Sequence, residues 1–300
     1  MVTDNPSEMT RSAALARWAT LRSFTSARVA LGRAGNGVPT GAHLAFQADH
    51  AQARDAVHAA LDVARMRADL TTAGFASVAV HSAASDRRTF LLRPDLGRRL
   101  RPSDRAALPE APGAMLFVIC DGLSATAVQR HAVPLLARVI PALTGTGSLV
   151  PGVAPGVAPV ILAEQGRVAL GDDIGALMGV EAVAVLIGER PGLSSPDSLG
   201  VYLTWQPRIG RTDAERNCIS NIRAEGLPVA AAADKLLWLI GAMRRMRLTG
   251  IALKDDQPAL PPNHRDLIDA SVNNTSLDDA SLNDGLGREH DQAQRPSAAR

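Results

Sequence analysis

The sequence predicts an α/β protein with a largely parallel sheet flanked by helices. A smaller helical N-terminal region precedes it and a disordered tail follows. Three observations carry this. From Ala114 the chain alternates strand, loop and helix, the rhythm of parallel pairing. Met115 to Cys120 (MLFVIC) is an unbroken apolar run, as in a strand buried on both faces. Ala182 to Ile187 is another; it stops at Gly188, and Glu189 and Arg190 follow at once. Pro191 and Gly192 then forbid a simple continuation, so a buried strand delivers a polar loop to one edge of the sheet. In open α/β sheets that edge is where ligands sit.

Residues 1–25 read as a polar leader with one short helix, Leu15, Trp18 and Leu21 being helically spaced within Ser12 to Leu21. Gly32 to Thr40 is a glycine-rich loop, and a helix follows from Gly41 to Leu61. Residues 78–81 and 89–92 read as short strands, and Arg93-Pro94-Asp95-Leu96-Gly97 breaks the pattern. Asp104 to Gly113 is a connector, so a 26–113 helical and α+β region gives way to a 114–254 domain. There, Ser124 is placed to cap a helix from Ala125 to Leu143, which Pro134 and Pro141 should kink or end. Thr144 to Pro159 is a loop, Val160 to Ala163 a strand, Gly171 to Met178 a short helix and Val201 to Trp205 a strand. Ala230 to Arg247 is the last helix, with Leu236, Leu237, Leu239, Ile240 and Met243 on its apolar face. Residues 255–300 turn to Asp, Asn, Ser, Pro and Gln without periodicity and read as disordered.

Composition narrows the function. Aromatic residues make up only 3% of the 300, leaving few rings for stacking single-stranded nucleic acid. A net charge of +2 does not by itself imply a nucleic-acid or membrane partner. Arginines do crowd the first half, among them Arg87, Arg88, Arg93, Arg98, Arg99 and Arg101; such a group reads as a solvated face or as a phosphate site. The two cysteines, Cys120 and Cys218, have no metal or redox spacing and fit a reducing cytosol. No apolar run approaches the roughly 20 residues that span a bilayer, and the first residues carry no secretory pattern.

The common site motifs fail. Neither Gly35-Asn36-Gly37 nor Gly145-Thr146-Gly147 completes a dinucleotide fingerprint, and no phosphate-cradling loop, nucleophile elbow or zinc-protease helix is present. His50 and His58 share a helix but make a poor metal pair, and His131 reads as a solvated helix residue. Asp121 reads as a turn or capping aspartate before a catalytic one. Glu189 follows directly on a buried strand, with an ion pair to Arg190 as its plainer role; Cys218 has the plainer role of a small buried residue. Residue chemistry alone therefore reaches a ligand-binding α/β protein with a site near Asp121, Glu189 and Cys218.

An ordered set of segments goes further. GRAG at 32–35, DHAQARDAVH at 49–58, RPDLGRRL at 93–100, DGLS at 121–124 and QRHA at 129–132 come first. GRVALGDDIG at 166–175, IGERPGLSSPDSLG at 187–200, GRTDAERNCISNIR at 210–223 and TGIALKD at 249–255 follow. Over residues 26–255 this set closely resembles the small (light) subunit of ethanolamine ammonia-lyase. The resemblance implies a Rossmann-like domain at 114–254 and a carbon–nitrogen lyase dependent on adenosylcobalamin, which turns ethanolamine into acetaldehyde and ammonia by a radical route. It implies a cofactor clamped against a barrel-shaped large subunit in an α6β6 assembly, with the substrate and the catalytic acids on that large subunit. It places cobalamin contacts on Val168, Glu189 and Cys218, and no catalytic or metal-ligating residue on this chain.

The spaced Asp–X–His–X–X–Gly pattern that offers cobalt a lower histidine is missing, since Asp49 and His50 are adjacent; base-on cobalamin is expected. The leader ahead of Ser26 is shorter than in relatives sent to bacterial microcompartments, which points to free cytoplasm. Two other readings compete: a purely structural partner of the barrel subunits, and an independent nucleotide-binding protein, against which the missing phosphate loop counts.

Overall fold

A computed structural model describes residues 18, 20–25, 27–144 and 156–256. Most of the leader, most of the Thr144 to Pro159 loop and nearly all of the C-terminal tail lie outside the described residues. Trp18, Thr20 and Leu21, from the expected first helix, are helical.

The elements run α1 (Thr40–His58), α2 (Val63–Thr72), β1 (Ser77–His81), α3 (Arg87–Leu92), β2 (Met115–Cys120) and α4 (Ala125–Thr144). Then come β3 (Val160–Glu164), α5 (Leu170–Met178), β4 (Ala182–Gly188), β5 (Leu199–Trp205), β6 (Asn217–Ile222) and α6 (Val229–Met246). One six-stranded sheet has the order β1-β3-β2-β4-β5-β6. Its two faces follow from strand alternation. Met115, Phe117 and Ile119 pack with Met66 and Leu70 of α2, Leu135 and Leu136 of α4, and Leu236 and Ile240 of α6. Leu116, Val118 and Cys120 pack on the other side with Leu170, Ile174 and Met178 of α5.

The sheet is mixed rather than mostly parallel. β1, β3, β2 and β4 pair in parallel, but β5 runs antiparallel to β4 and β6 antiparallel to β5. The cause lies in the connection. A parallel crossover needs about a dozen residues or more, usually with a helix. Residues 189–198 are too few and too rich in Pro and Gly for that, and they turn back on themselves where Gly192 and Ser195 exchange backbone hydrogen bonds at 3.1 Å. A chain that turns back without crossing the sheet must pair antiparallel.

Residues 89–92 are helical, not a strand. The Asp86 carboxylate accepts from the Thr89 amide at 2.8 Å and starts α3, which closes just before Arg93-Pro94. A four-residue apolar run has no period that separates the two states. Ser124 does cap α4, accepting from the Ala127 amide at 3.2 Å. That helix runs through Pro134 and ends three residues after Pro141. Both prolines sit on its exposed side, where water can take up the carbonyls they orphan.

Candidate functional site

β2 is flanked by β3 and β4, and the helical connections that lead into those two strands lie on opposite faces of the sheet. α4 carries the chain from β2 to β3 along one face, and α5 carries it from β3 to β4 along the other. The strand order therefore reverses at the C-terminal ends of β2 and β4, the crevice position of open α/β sheets. A cavity of about 450 Å³ opens there, lined by Gly122 and Leu123 after β2, Ile187 and Glu189 at the end of β4, and Val168 and Tyr202.

The two strand ends touch directly. The Leu123 amide donates to the Gly188 carbonyl at 2.9 Å. A Cβ on Gly122, which has φ +54°, would lie 2.4 Å from that same carbonyl oxygen. A Cβ on Gly188 would lie 2.0 Å from the Ser124 carbonyl oxygen. Only glycine fits either position, so the abrupt end of the AVAVLI run is a steric requirement.

Beneath the cavity Asp121 is buried. Its Oδ1 accepts from the Gly166 amide at 3.1 Å and its Oδ2 lies 3.5 Å from Arg87 Nη1. Burial pushes its pKa above the carboxylate range, and Arg87 opposes that push. Asp121 thus ties the ends of β2 and β3 together as a turn residue.

Glu189 is held from three directions. Ser220 Oγ donates to its Oε1 at 2.6 Å; Ser198 Oγ at 2.6 Å and the Asn221 amide at 3.1 Å donate to its Oε2. No ion pair to Arg190 forms among the described residues. The side chain reaches β6 because it crosses β5 at Gly200, where a Cβ would sit 2.9 Å from Oε1. Asn221 has φ +59°, a left-handed turn that asparagine tolerates and that aims its amide back at the carboxylate.

Val168 and Glu189 thus line one cavity. Cys218 does not line it, but sits on β6 opposite Tyr202, which does. The Cys218 thiol is exposed, unlike that of buried Cys120. Packing around it pushes its pKa up, against a hydrogen bond with Tyr202. Burial, with Cys218 and Glu189 nearby, likewise raises the Tyr202 hydroxyl. The cavity presents the Glu189 carboxyl, the Tyr202 phenol and the side chains of Arg167 and Arg190, with the Cys218 thiol one strand over. These groups offer a ligand both hydrogen-bond donors and acceptors beside an apolar wall.

Sequence reasoning missed Ser198, Ser220 and Tyr202. The only signal for Ser220 was its spacing of two from Cys218, which places both on one face of a strand that was not expected. His131 is more enclosed than a solvated helix residue: its Nε2 lies 3.4 Å from Asp197, and the side chain is 14% exposed. His50 and His58 are exposed on α1. No helix among the described residues is long and apolar enough to cross a membrane.

Comparison with known proteins gives a coherent result. Residues 15–254 match a family described as "Ethanolamine ammonia-lyase light chain (EutC)". The chain is 53% identical over 245 residues to an ethanolamine ammonia-lyase small subunit of Azotobacter vinelandii, covering 80% of this chain and 88% of that protein. It is 54% identical over 253 residues to one of Xanthomonas campestris pv. campestris, covering 81% and 90%. It is 49% identical over 273 residues to one of Ralstonia nicotianae, covering 88% and 97%.

Proposed function

Because the chain belongs to the ethanolamine ammonia-lyase light-chain family, we propose that it clamps a cobalamin, through the cavity at Val168 and Glu189, against the large subunit of the enzyme. The enzyme is a two-subunit lyase of a cobalamin-dependent family, and this chain is its small subunit. The observation that carries the proposal is the prepared Glu189 carboxylate at the switch-point cavity.

The residues fit the group. Cobalamin is a flat macrocycle with an apolar surface, edged by amide side chains. Glu189 offers those amides, or a ribose hydroxyl, a charged acceptor already oriented by Ser198, Ser220 and Asn221. A hydrogen bond to a charged group contributes about 1.5–3 kcal/mol. Val168, Leu123 and Ile187 give apolar wall, and the bare glycines 122 and 188 keep the rim low. Cys218, one strand over, adds soft packing surface at the edge. In this reading residues 114–254 form the Rossmann-like cobalamin-binding part, and residues 26–113 support it.

When bound, the cofactor supplies the radical chemistry that removes ammonia from ethanolamine. This chain binds it, fixes its orientation and excludes water; none of its residues moves a proton in the reaction. The adjacent Asp49-His50 pair, lacking the spaced motif, supports base-on binding. An α6β6 assembly in the free cytoplasm completes the proposal.

Co-expression with a large subunit tests it. The paired subunits, given adenosylcobalamin and ethanolamine, release acetaldehyde, and neither subunit does so alone. A large subunit that takes up cobalamin equally well with or without the small subunit contradicts the clamp.

A further inference from the structure

A second cavity, of about 600 Å³, adjoins the first, with Arg167 and Val168 lining both. Its wall carries five arginines: Arg98, Arg99, Arg167, Arg211 and Arg216. Two of these already have carboxylate partners. Arg216 grips Asp172 through both terminal nitrogens, at 2.7 and 2.6 Å, and Arg211 pairs with Glu215 at 2.5 Å. The other acid in the wall, Asp213, is 98% exposed and lies 3.5 Å from Arg216 Nε. Arg98, Arg99 and Arg167 enter no ion pair among the described residues.

Arg167 is also fixed in place. Its guanidinium stacks 4.2 Å from the Phe90 ring centroid, and its Nη2 donates to the Phe90 carbonyl at 3.2 Å. Its Nε is buried without a partner. Arg87 holds the same ring at 4.7 Å, but lies beside Asp121. Three arginines at one cavity that pair with none of its acids repel one another, and an anion relieves that repulsion. The planar fork of arginine matches the oxygens of phosphate, two at a time.

We propose that this second cavity binds a phosphate group, with Arg98, Arg99 and Arg167 as its donors. The phosphate has two sources: the phosphodiester of a cobalamin seated in the neighbouring cavity, which rests on the function proposed above, or free inorganic phosphate, which does not. The shared lining at Val168 and Arg167 lets one extended ligand occupy both cavities.

The test uses the complex co-expressed with the large subunit, as wild type, as the Arg98→Ala/Arg99→Ala double variant and as Arg98→Glu. Both positions are exposed, so the fold is retained. Each complex is titrated with cobalamin, with cobinamide, which lacks the phosphodiester, and with inorganic phosphate followed by phosphorus NMR. If the cofactor supplies the phosphate, the variants bind cobalamin about tenfold or more weakly and cobinamide unchanged. If the source is free phosphate, the variants lose phosphate binding and keep both corrinoids. A wild type that binds phosphate through these arginines but no corrinoid upholds the site and rejects the cobalamin reading. Variants that bind all three ligands as the wild type does overturn the proposal. So do variants that lose the large subunit while ligand binding is unchanged, because the arginines are then a protein contact.

Discussion

The Ser220 hydroxyl donates to Glu189 Oε1 at 2.6 Å, across the full width of β5. The contact joins the loop after β4 to the edge strand β6, and Gly200 leaves room for it. Ser220→Ala removes one of three bonds that orient the carboxylate and leaves it otherwise solvated. Cobalamin binding to the complex should weaken about three- to tenfold, for a loss of roughly 0.5–1.5 kcal/mol. Equilibrium titration reads the effect, and thermal unfolding of the variant should match that of wild type.

Gly188→Ala probes the junction of β2 and β4. The added methyl would meet the Ser124 carbonyl at 2.0 Å and that of Asp121 at 2.6 Å, and both are backbone atoms that cannot step aside. Destabilisation of about 2–3 kcal/mol is expected from such overpacking, measured by urea unfolding. An unchanged midpoint would mean that the two turns are not in contact.

Arg216 and Asp172 form a buried, two-pronged pair, supported by Thr204 Oγ1 at 2.9 Å from Arg216 Nη1. Burial raises the Asp172 pKa and Arg216 opposes it. Arg216→Ala strands that carboxylate and should cost about 3–5 kcal/mol. Replacing both partners together, as Arg216→Met with Asp172→Leu, should cost clearly less than the single change. Denaturant unfolding of the two variants separates an unpaired charge from lost packing.

Glu215 gives a pH signature. The Thr212 amide, then Arg211, hold its carboxyl at about 2, below the ordinary 4.5. A lowered carboxylate pKa stabilises the fold fully above the unfolded value, and the benefit is lost as pH falls through the folded value. Wild type should therefore exceed Glu215→Gln in stability above pH 4.5, and the gap should close between about pH 4.5 and about 2. Unfolding curves over that range check it; a gap that persists at the acid end contradicts the assigned bonds.

The buried centre of the sheet was legible because β2 and β4 are continuous apolar runs whose ends are marked by glycine and charge. β6 was not, because an edge strand with polar residues at Asn217, Ser220 and Asn221 has no apolar alternation to reveal it. The helical state of residues 89–92 depends on a side-chain cap from Asp86, outside the apolar run itself. Glu189 stood out from its position after β4. Its partners did not, because they come from β6 and from the residue just before β5, neighbours that only the mixed strand order supplies.

Glu189, held in the switch-point cavity, is the residue proposed to help fix cobalamin between the two subunits. The most direct test of that role is cobalamin titration of the co-expressed complex carrying Glu189→Ala, with the mass of the complex measured alongside. The complex should assemble intact, with cobalamin affinity reduced about tenfold or more. Wild-type affinity in a complex of unchanged mass would contradict that role.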